Sequence, residues 1–196
     1  MENLYSVIRY RYLLLLICMS ILTGCATHPG HPTAVVPVDV DMSFVVESRL
    51  AFRHDNDAMS GRLIWRHSTH QDTIDIFSVF RHQLFAIERQ GSHYQLSRGK
   101  EILISTTEVD QLTNDYFGYP IPLSQLSRWV LGIPVNDKIS NREPLPYRVI
   151  TSEGWILQYD EFSEVQNRAV PQRMSFSNEK MTIRFVVDSW ILGEPQ

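Results

Sequence analysis

Cysteine is nearly absent from this chain. Of 196 residues two are cysteine, Cys18 and Cys25, both close to the start. The remainder can form no disulfide and offers no thiol nucleophile or thiolate metal ligand. A basic excess is missing too. Lys and Arg number 18 against 22 Asp and Glu, for a net charge of −4, so no electrostatic case exists for nucleic acid as a partner. Long apolar runs are lacking: Tyr12 to Leu22 is the longest, and it is too short to span a bilayer. No Gly-x-Ser-x-Gly elbow, phosphate loop or nucleotide fingerprint occurs. His67 and His70 stand three apart in an expected turn, and His28 and His31 lie near the start; neither pair has the further ligands that zinc needs. Asp72 and Asp75 have odd spacing in an expected strand, hence opposite faces, which argues against a paired acid/base. Glu161 and Glu164 are expected in a solvated turn. The expectation is no catalytic group, no cofactor and no metal ion.

What is present begins with an export signal. Arg9 and Arg11 precede the apolar run Tyr12 to Leu22, the charge-then-apolar order of a signal peptide. The run ends in Leu22-Thr23-Gly24-Cys25, which resembles the lipobox of bacterial lipoproteins. That resemblance implies a diacylated Cys25, removal of residues 1–24 and acylation of the new amino group. The alternative is an ordinary secretory signal or short anchor with Cys25 left as a thiol. Ala26 comes after the cysteine where an aspartate commonly signals inner-membrane retention, which points to the outer membrane. Residues 25–42 carry Pro29, Pro32 and Pro37 among polar residues without a period, as a lipid-anchored linker would. The domain proper is expected over 43–196.

From Ser43 the pattern alternates. Phe44, Val46, Leu50 and Phe52 share one face, with Glu47, Arg49 and Arg53 on the other, the period of a half-buried strand. The same alternation recurs at Leu63 and Trp65, at Ile74 and Ile76, over residues 83–90, 92–98 and 101–105, and again from Tyr147 to Val187. Polar turns at 54–58, 67–71, Gly91-Ser92, Gly99-Lys100, Gly154 and Asn178-Glu179 separate the runs and imply short antiparallel connections. Two helices interrupt them. Thr107-Glu108-Val109-Asp110 reads as a capped start, continued by Val109, Leu112 and Tyr116 and closed by Gly118. The second starts near Pro122, carries Leu123, Leu126 and Val130, and stops at Gly132 and Pro134. The expected fold is mainly β: one antiparallel sheet of about ten strands with a helical insertion.

Such a sheet must cover its apolar face or curl around it. Two short amphipathic helices can roof part of that face. Trp65, Trp129, Trp155, Phe52 and Phe185 would leave gaps in a curled sheet, so a hollow is possible. On periodicity alone a filled core is the commoner outcome.

Several ordered segments bear on that choice: Ser48 to Arg53, Ser60 to Trp65, Phe117 to Leu123 with Arg128-Trp129 and Gly132-Ile133-Pro134, Gly154 to Tyr159, Val170 to Arg173, and Val187 to Trp190. In this order and spacing, behind a lipobox, they resemble the outer-membrane lipoprotein receptor family LolB over nearly the whole mature chain. The resemblance implies an eleven-stranded antiparallel half barrel closed by helices around an apolar cavity. It also implies a receptor, anchored through Cys25 and facing the periplasm, that accepts lipoproteins from the carrier LolA and places them in the outer membrane. Leu50, Phe52, Leu63, Trp65, Ile74, Ile76, Leu126 and Trp129 are the acyl-chain cavity candidates. In the loop Ser78 to His82, Phe80 takes the place of an exposed leucine in a Pro-Leu-Gly-type turn that LolB-like proteins use at the membrane. The departure from Pro-Leu-Gly leaves open whether Phe80 points outward or packs inward. Monomeric action is expected. The competing classes are a structural or sensory lipoprotein that binds another lipophilic ligand, and a lipid-active hydrolase, against which the missing nucleophile motif argues.

Overall fold

A computed structural model of the chain describes residues 38–39, 41–118, 120–133 and 147–193. Cys25, the export segment, His28, His31 and most of the expected linker lie outside the described residues. The chain divides after Ala34 into two units, of which the second is Val35–Gln196. The second holds every described strand and helix together with the hydrophobic core, so it meets the requirement for folding independently. Val38, inside the expected linker, is buried in that core.

Ten strands are found among the described residues: β1 Phe44–His54, β2 Asp57–His67, β3 Gln71–Phe77, β4 Gln83–Gln90, β5 His93–Arg98, β6 Glu101–Thr106, β7 Tyr147–Ile150, β8 Ile156–Val165, β9 Arg168–Ser177 and β10 Met181–Leu192. They form one open sheet in the order β6-β5-β4-β3-β2-β1-β10-β9-β8-β7, with every pairing antiparallel. The periodicity count of about ten is thus met; the resemblance had implied eleven. Two helices, α1 Val109–Phe117 and α2 Leu123–Val130, stand between β6 and β7.

The order explains the roof. β1 starts in the middle of the sheet, and the meander runs out to β6 at one edge. The chain must then reach β7 at the opposite edge, and the helices lie on that route. Leu112 of α1 and Leu126, Trp129 and Val130 of α2 are all buried in the core. The crossing therefore covers the apolar face, as a one-sided sheet requires.

Alternation is kept along most strands. In β1 the buried positions are Phe44, Val46, Ser48 and Leu50; in β10 they are Met181, Ile183, Phe185, Val187 and Leu192. The β1–β10 register slips at Glu47/Ser48, leaving Asp188 as the extra residue on β10. Such a bulge switches the face on which later residues of the strand point and sharpens the twist. Beyond it Trp190 turns inward and donates through Nε1 to the Pro171 carbonyl at 3.0 Å, while Asp188 outside accepts from Arg49 and Arg62 at 3.2 Å each.

Three local expectations need correction. The hydroxyl at the start of α1 belongs to Thr106, whose Oγ1 accepts from the Glu108 N–H at 3.0 Å, rather than to Thr107. Glu161 and Glu164 lie within β8, not in a turn, and Glu161 pairs with Arg173 at 3.1 Å. Register breaks at Tyr159/Glu161 and Glu161/Phe162 interrupt the alternation that would have marked this part of the strand. His67 is the last residue of β2 and paired, not in the turn. α1 ends as expected at Gly118, whose φ of 83° suits glycine and whose N–H donates to the Asn114 carbonyl.

Candidate functional site: an apolar chamber under the helices

Inward side chains of β1 to β4 and β10 meet the underside of the crossing segment in a chamber. Leu50, Phe52, Leu63, Trp65, Ile74 and Ile76 line it from the sheet, and Leu126 closes it from α2. Seven of the eight cavity candidates are therefore brought together. Trp129 is the exception: it is fully buried and is not among the side chains that line the chamber. Its ring meets Trp155 and Phe176 at 5.6 Å each, and its carbonyl accepts from the Tyr159 hydroxyl at 2.8 Å. Trp129 is the bolt that fastens α2 to β8 and β9. Trp129 stands three residues beyond Leu126, close to one turn further along α2, where it meets Trp155 and Phe176 instead of the chamber.

The cavity candidates leave out other lining residues: Met59, Ile87, Thr113, Ile121, Leu123, Ile183 and Phe185, the last named only among the bulky side chains that would leave gaps in a curled sheet. Parity would have found Ile87, which stands opposite Ile74 in the β3–β4 register, and Ile183, opposite Phe52 across β1–β10. The lining is apolar apart from the Thr113 hydroxyl, and that group is engaged. It accepts from the Ile121 N–H at 2.8 Å and donates to the Asp110 carbonyl at 3.2 Å, tying α1 to the start of α2.

The chamber is small, about 70 Å³. A water molecule occupies about 30 Å³ of liquid, so the space is that of roughly two waters. As it stands it admits no acyl chain. Side chains of the roof, Ile121, Leu123 and Leu126, take up the room between roof and sheet.

A polar cluster sits at one end of the same inward face. Asp72 accepts from Trp65 Nε1 at 2.9 Å, from His67 Nδ1 at 2.5 Å and from the Arg89 guanidinium. Arg89 also donates to the carbonyls of Ser68 at 2.8 Å and of Thr69 and Gly91 at 3.3 Å, pinning the β2–β3 turn. Burial pushes the Asp72 carboxyl up, but hydrogen bonds from His67, Trp65 and Arg89, together with the His67 charge, outweigh it and hold the group below 3.8. Burial raises the Tyr94 hydroxyl next to this cluster, with Arg89 opposing. Asp75 faces the other side of β3, pairs with Arg66 at 3.0 Å and accepts from Gln83 at 2.7 Å. The two carboxylates thus serve separate structural pairings. Among the described residues no group of three or more His, Cys, Asp or Glu is arranged to hold a metal ion.

The β3–β4 loop projects from the sheet. It leaves β3 beside Gly61, where a Cβ would lie 2.1 Å from the Phe77 carbonyl oxygen, so only glycine permits the approach. Ser78 N–H donates to the His82 carbonyl at 2.8 Å and Arg81 N–H to the Ser78 carbonyl at 2.9 Å. Arg81 takes a positive φ of 65°. These bonds place Val79 and Phe80 at the apex, 64% and 81% exposed.

The family model described as "Outer membrane lipoprotein LolB" matches residues 42–190 of this sequence. The chain belongs to the LolB family. Among the relatives that carry the name "Outer-membrane lipoprotein LolB", the Thiobacillus denitrificans protein is 27% identical over 175 residues, covering 86% of this chain and 91% of its own. The Chromobacterium violaceum protein is 28% identical over 182 residues, covering 92% and 98%. The crystal structure of the LolA superfamily protein NE2245 from Nitrosomonas europaea superposes with a TM-score of 0.49 at 10% identity, over 82% of this chain and 90% of that one. LolB membership makes this chain an outer-membrane lipoprotein of the Lol lipoprotein-transport pathway, and not an enzyme. No helix among the described residues is long and apolar enough to cross a membrane.

Proposed function

We propose that this LolB-family chain is the receptor that takes lipoproteins from a LolA-type periplasmic carrier, shelters their acyl chains in the chamber and releases them into the outer membrane. In this reading Cys25 carries the lipid anchor once residues 1–24 are removed, residues 25–42 tether the domain, and residues 43–196 work as a monomer facing the periplasm. The observation that carries it is the apolar chamber between the sheet and a roof of two short helices. Each buried methylene of a lipid contributes about 0.8 kcal/mol, so one acyl chain keeps on the order of 10 kcal/mol out of water. Cargo with several chains needs such a shelter to cross the periplasm, and a shelter without polar anchors lets a bilayer compete the chains away.

A chamber of about 70 Å³ receives acyl chains only when the roof lifts. The crossing segment has joints suited to that motion. The Ile121 N–H donates to the Thr113 hydroxyl and ties α1 to the entry of α2. Gly118 lies at the end of α1 and Gly132 comes just after α2, both at positive φ. The Trp129 bolt holds the far end of α2 while Leu123 and Leu126 swing from the sheet. The exposed Phe80 tip supplies the membrane end of the transfer: an aromatic apex beside Arg81 suits the zone between head groups and acyl chains.

The test is handover. Carrier-bound lipoprotein mixed with the unit 35–196 transfers to it, and lipoprotein left on the carrier would count against the receptor role.

A further inference from the structure

The outward face of the sheet carries arginines whose pairing is uneven. Arg49 and Arg62 share Asp188, and Arg66 pairs with Asp75. Arg53 on β1 and Arg184 on β10 are both exposed and have no hydrogen-bond or ion-pair partner among the described residues. They are neighbours: Arg53 pairs in register with Thr182 and Ala51 with Arg184, so the two stand diagonally across adjacent strands. Diagonal positions in an antiparallel pair are about 7–8 Å apart, within joint reach of one tetrahedral anion for side chains of this length. The small residues Ala51, Ala58, Ser60 and Thr182 lie between them in a hollow of about 350 Å³ that Phe52 and Met59 also line. Larger side chains there would fill the space that both guanidiniums can enter. Asp55, in the β1–β2 turn, has its Oδ2 3.6 Å from His54 Nε2.

The place of this hollow decides its occupant. Ser60 of the floor is the residue before Gly61, beside which the β3–β4 loop leaves the sheet with Phe80 at its apex. An apolar tip and a pair of unpartnered guanidiniums therefore stand at the same end of adjoining strands. We propose that Arg53 and Arg184 form a docking site for the phosphate of anionic phospholipid head groups, so that this end of the sheet rests on the membrane while the Phe80 tip enters it. The guanidinium fork matches a phosphate's oxygens in a way a single lysine does not. The proposal rests on the reading of Phe80 as a membrane tip only for its orientation; the arginine pair acts independently of it.

The test uses the unit 35–196, free of lipid anchor, with vesicles of phosphatidylcholine alone or with about 30 mol% phosphatidylglycerol. Each arginine at an anionic surface contributes about fivefold in affinity, so Arg53→Gln with Arg184→Gln weakens binding to the anionic vesicles about 30-fold and leaves phosphatidylcholine binding unchanged. Raising salt to about 0.5 M erases the difference between wild type and variant. A Phe80→Ser variant separates the two readings, since it removes the apolar tip without a change of charge, lowers binding to both vesicle types and keeps the preference for anionic lipid. An arginine variant that retains the wild-type preference overturns the docking site even if Phe80→Ser detaches the protein. Release of the wild type by millimolar inorganic phosphate at constant ionic strength also overturns it, in favour of a soluble anion.

Discussion

Replacing Phe80 with glutamate isolates the membrane step, because the side chain contributes almost nothing to the folded domain. It is 81% exposed at the apex of a loop whose shape is set by backbone bonds between Ser78, Arg81 and His82. Surface changes of this kind alter stability by no more than about 0.5 kcal/mol. In lipid the balance differs. A phenylalanine side chain gains about 1.5–3 kcal/mol on leaving water, and most of that surface is still available in this loop. Its loss corresponds to a factor of about 10 to 150 in membrane partition, and a carboxylate among head groups adds to it. The assay pairs urea unfolding and carrier-to-receptor transfer with delivery of bound lipoprotein into vesicles. The expected outcome is an unchanged unfolding midpoint, unchanged transfer onto the receptor, and delivery slowed by at least about tenfold, the lower end of that partition factor. Delivery at the wild-type rate in a folded variant would refute the reasoning.

Other substitutions probe the remaining parts. Leu63→Glu puts a carboxylate on the chamber wall, where Leu63 is 5% exposed; it should stall uptake of lipoprotein in the transfer assay, and normal transfer by a folded variant would remove Leu63 from the acyl path. Trp129→Ala empties the space between α2, Trp155 and Phe176, and should cost about 3–5 kcal/mol in urea unfolding, since this ring supports the roof from outside the chamber. Asp72→Asn leaves the part-buried Arg89 guanidinium without its carboxylate and should cost about 1–3 kcal/mol at neutral pH. The folded carboxyl of Asp72 lies below its ordinary value of 3.8, so its stabilising contribution is complete above that value and is lost as pH falls through the lower folded value. Wild type should therefore lose stability more steeply than Asp72→Asn below about pH 4, read as unfolding midpoints across an acid series.

The strands were legible because a one-sided sheet writes its faces as period two, and most of the turns between them carry Gly, Asn or Asp, the β2–β3 and β3–β4 connections being the exceptions. Both helices were legible from their stripes and from Gly118 and Gly132. Parity also marked the Asp72 cluster, which sequence reasoning passed over. Asp72 is in phase with Ile74 and Ile76, and Arg89 with Ile87, so two charges on neighbouring strands were already assigned to the apolar face. Opposite charges at such positions announce a buried pair. The role of Trp129 was not legible, because Leu126 and Trp129 lie on one face of α2 and only the arrival of β8 and β9 beneath its end divides them. The size of the chamber was beyond reach for a similar reason: it depends on how far the roof side chains descend between the sheet side chains, which no pattern along the chain records. The exposure of Phe80 turned on local bonds in a loop that departs from the expected Pro-Leu-Gly turn.

The most direct measurement gives the carrier a lipoprotein whose acyl chain bears a photoreactive group, mixes it with the unit 35–196, and maps the labelled residues after illumination. Lipid that enters beneath the lifted roof leaves labels on chamber residues such as Leu63, Ile76 and Leu126, and this is the expected result. Labels confined to outward residues of the same strands, such as Ile64 and Val186, would show that acyl chains never enter the chamber and would contradict the receptor mechanism.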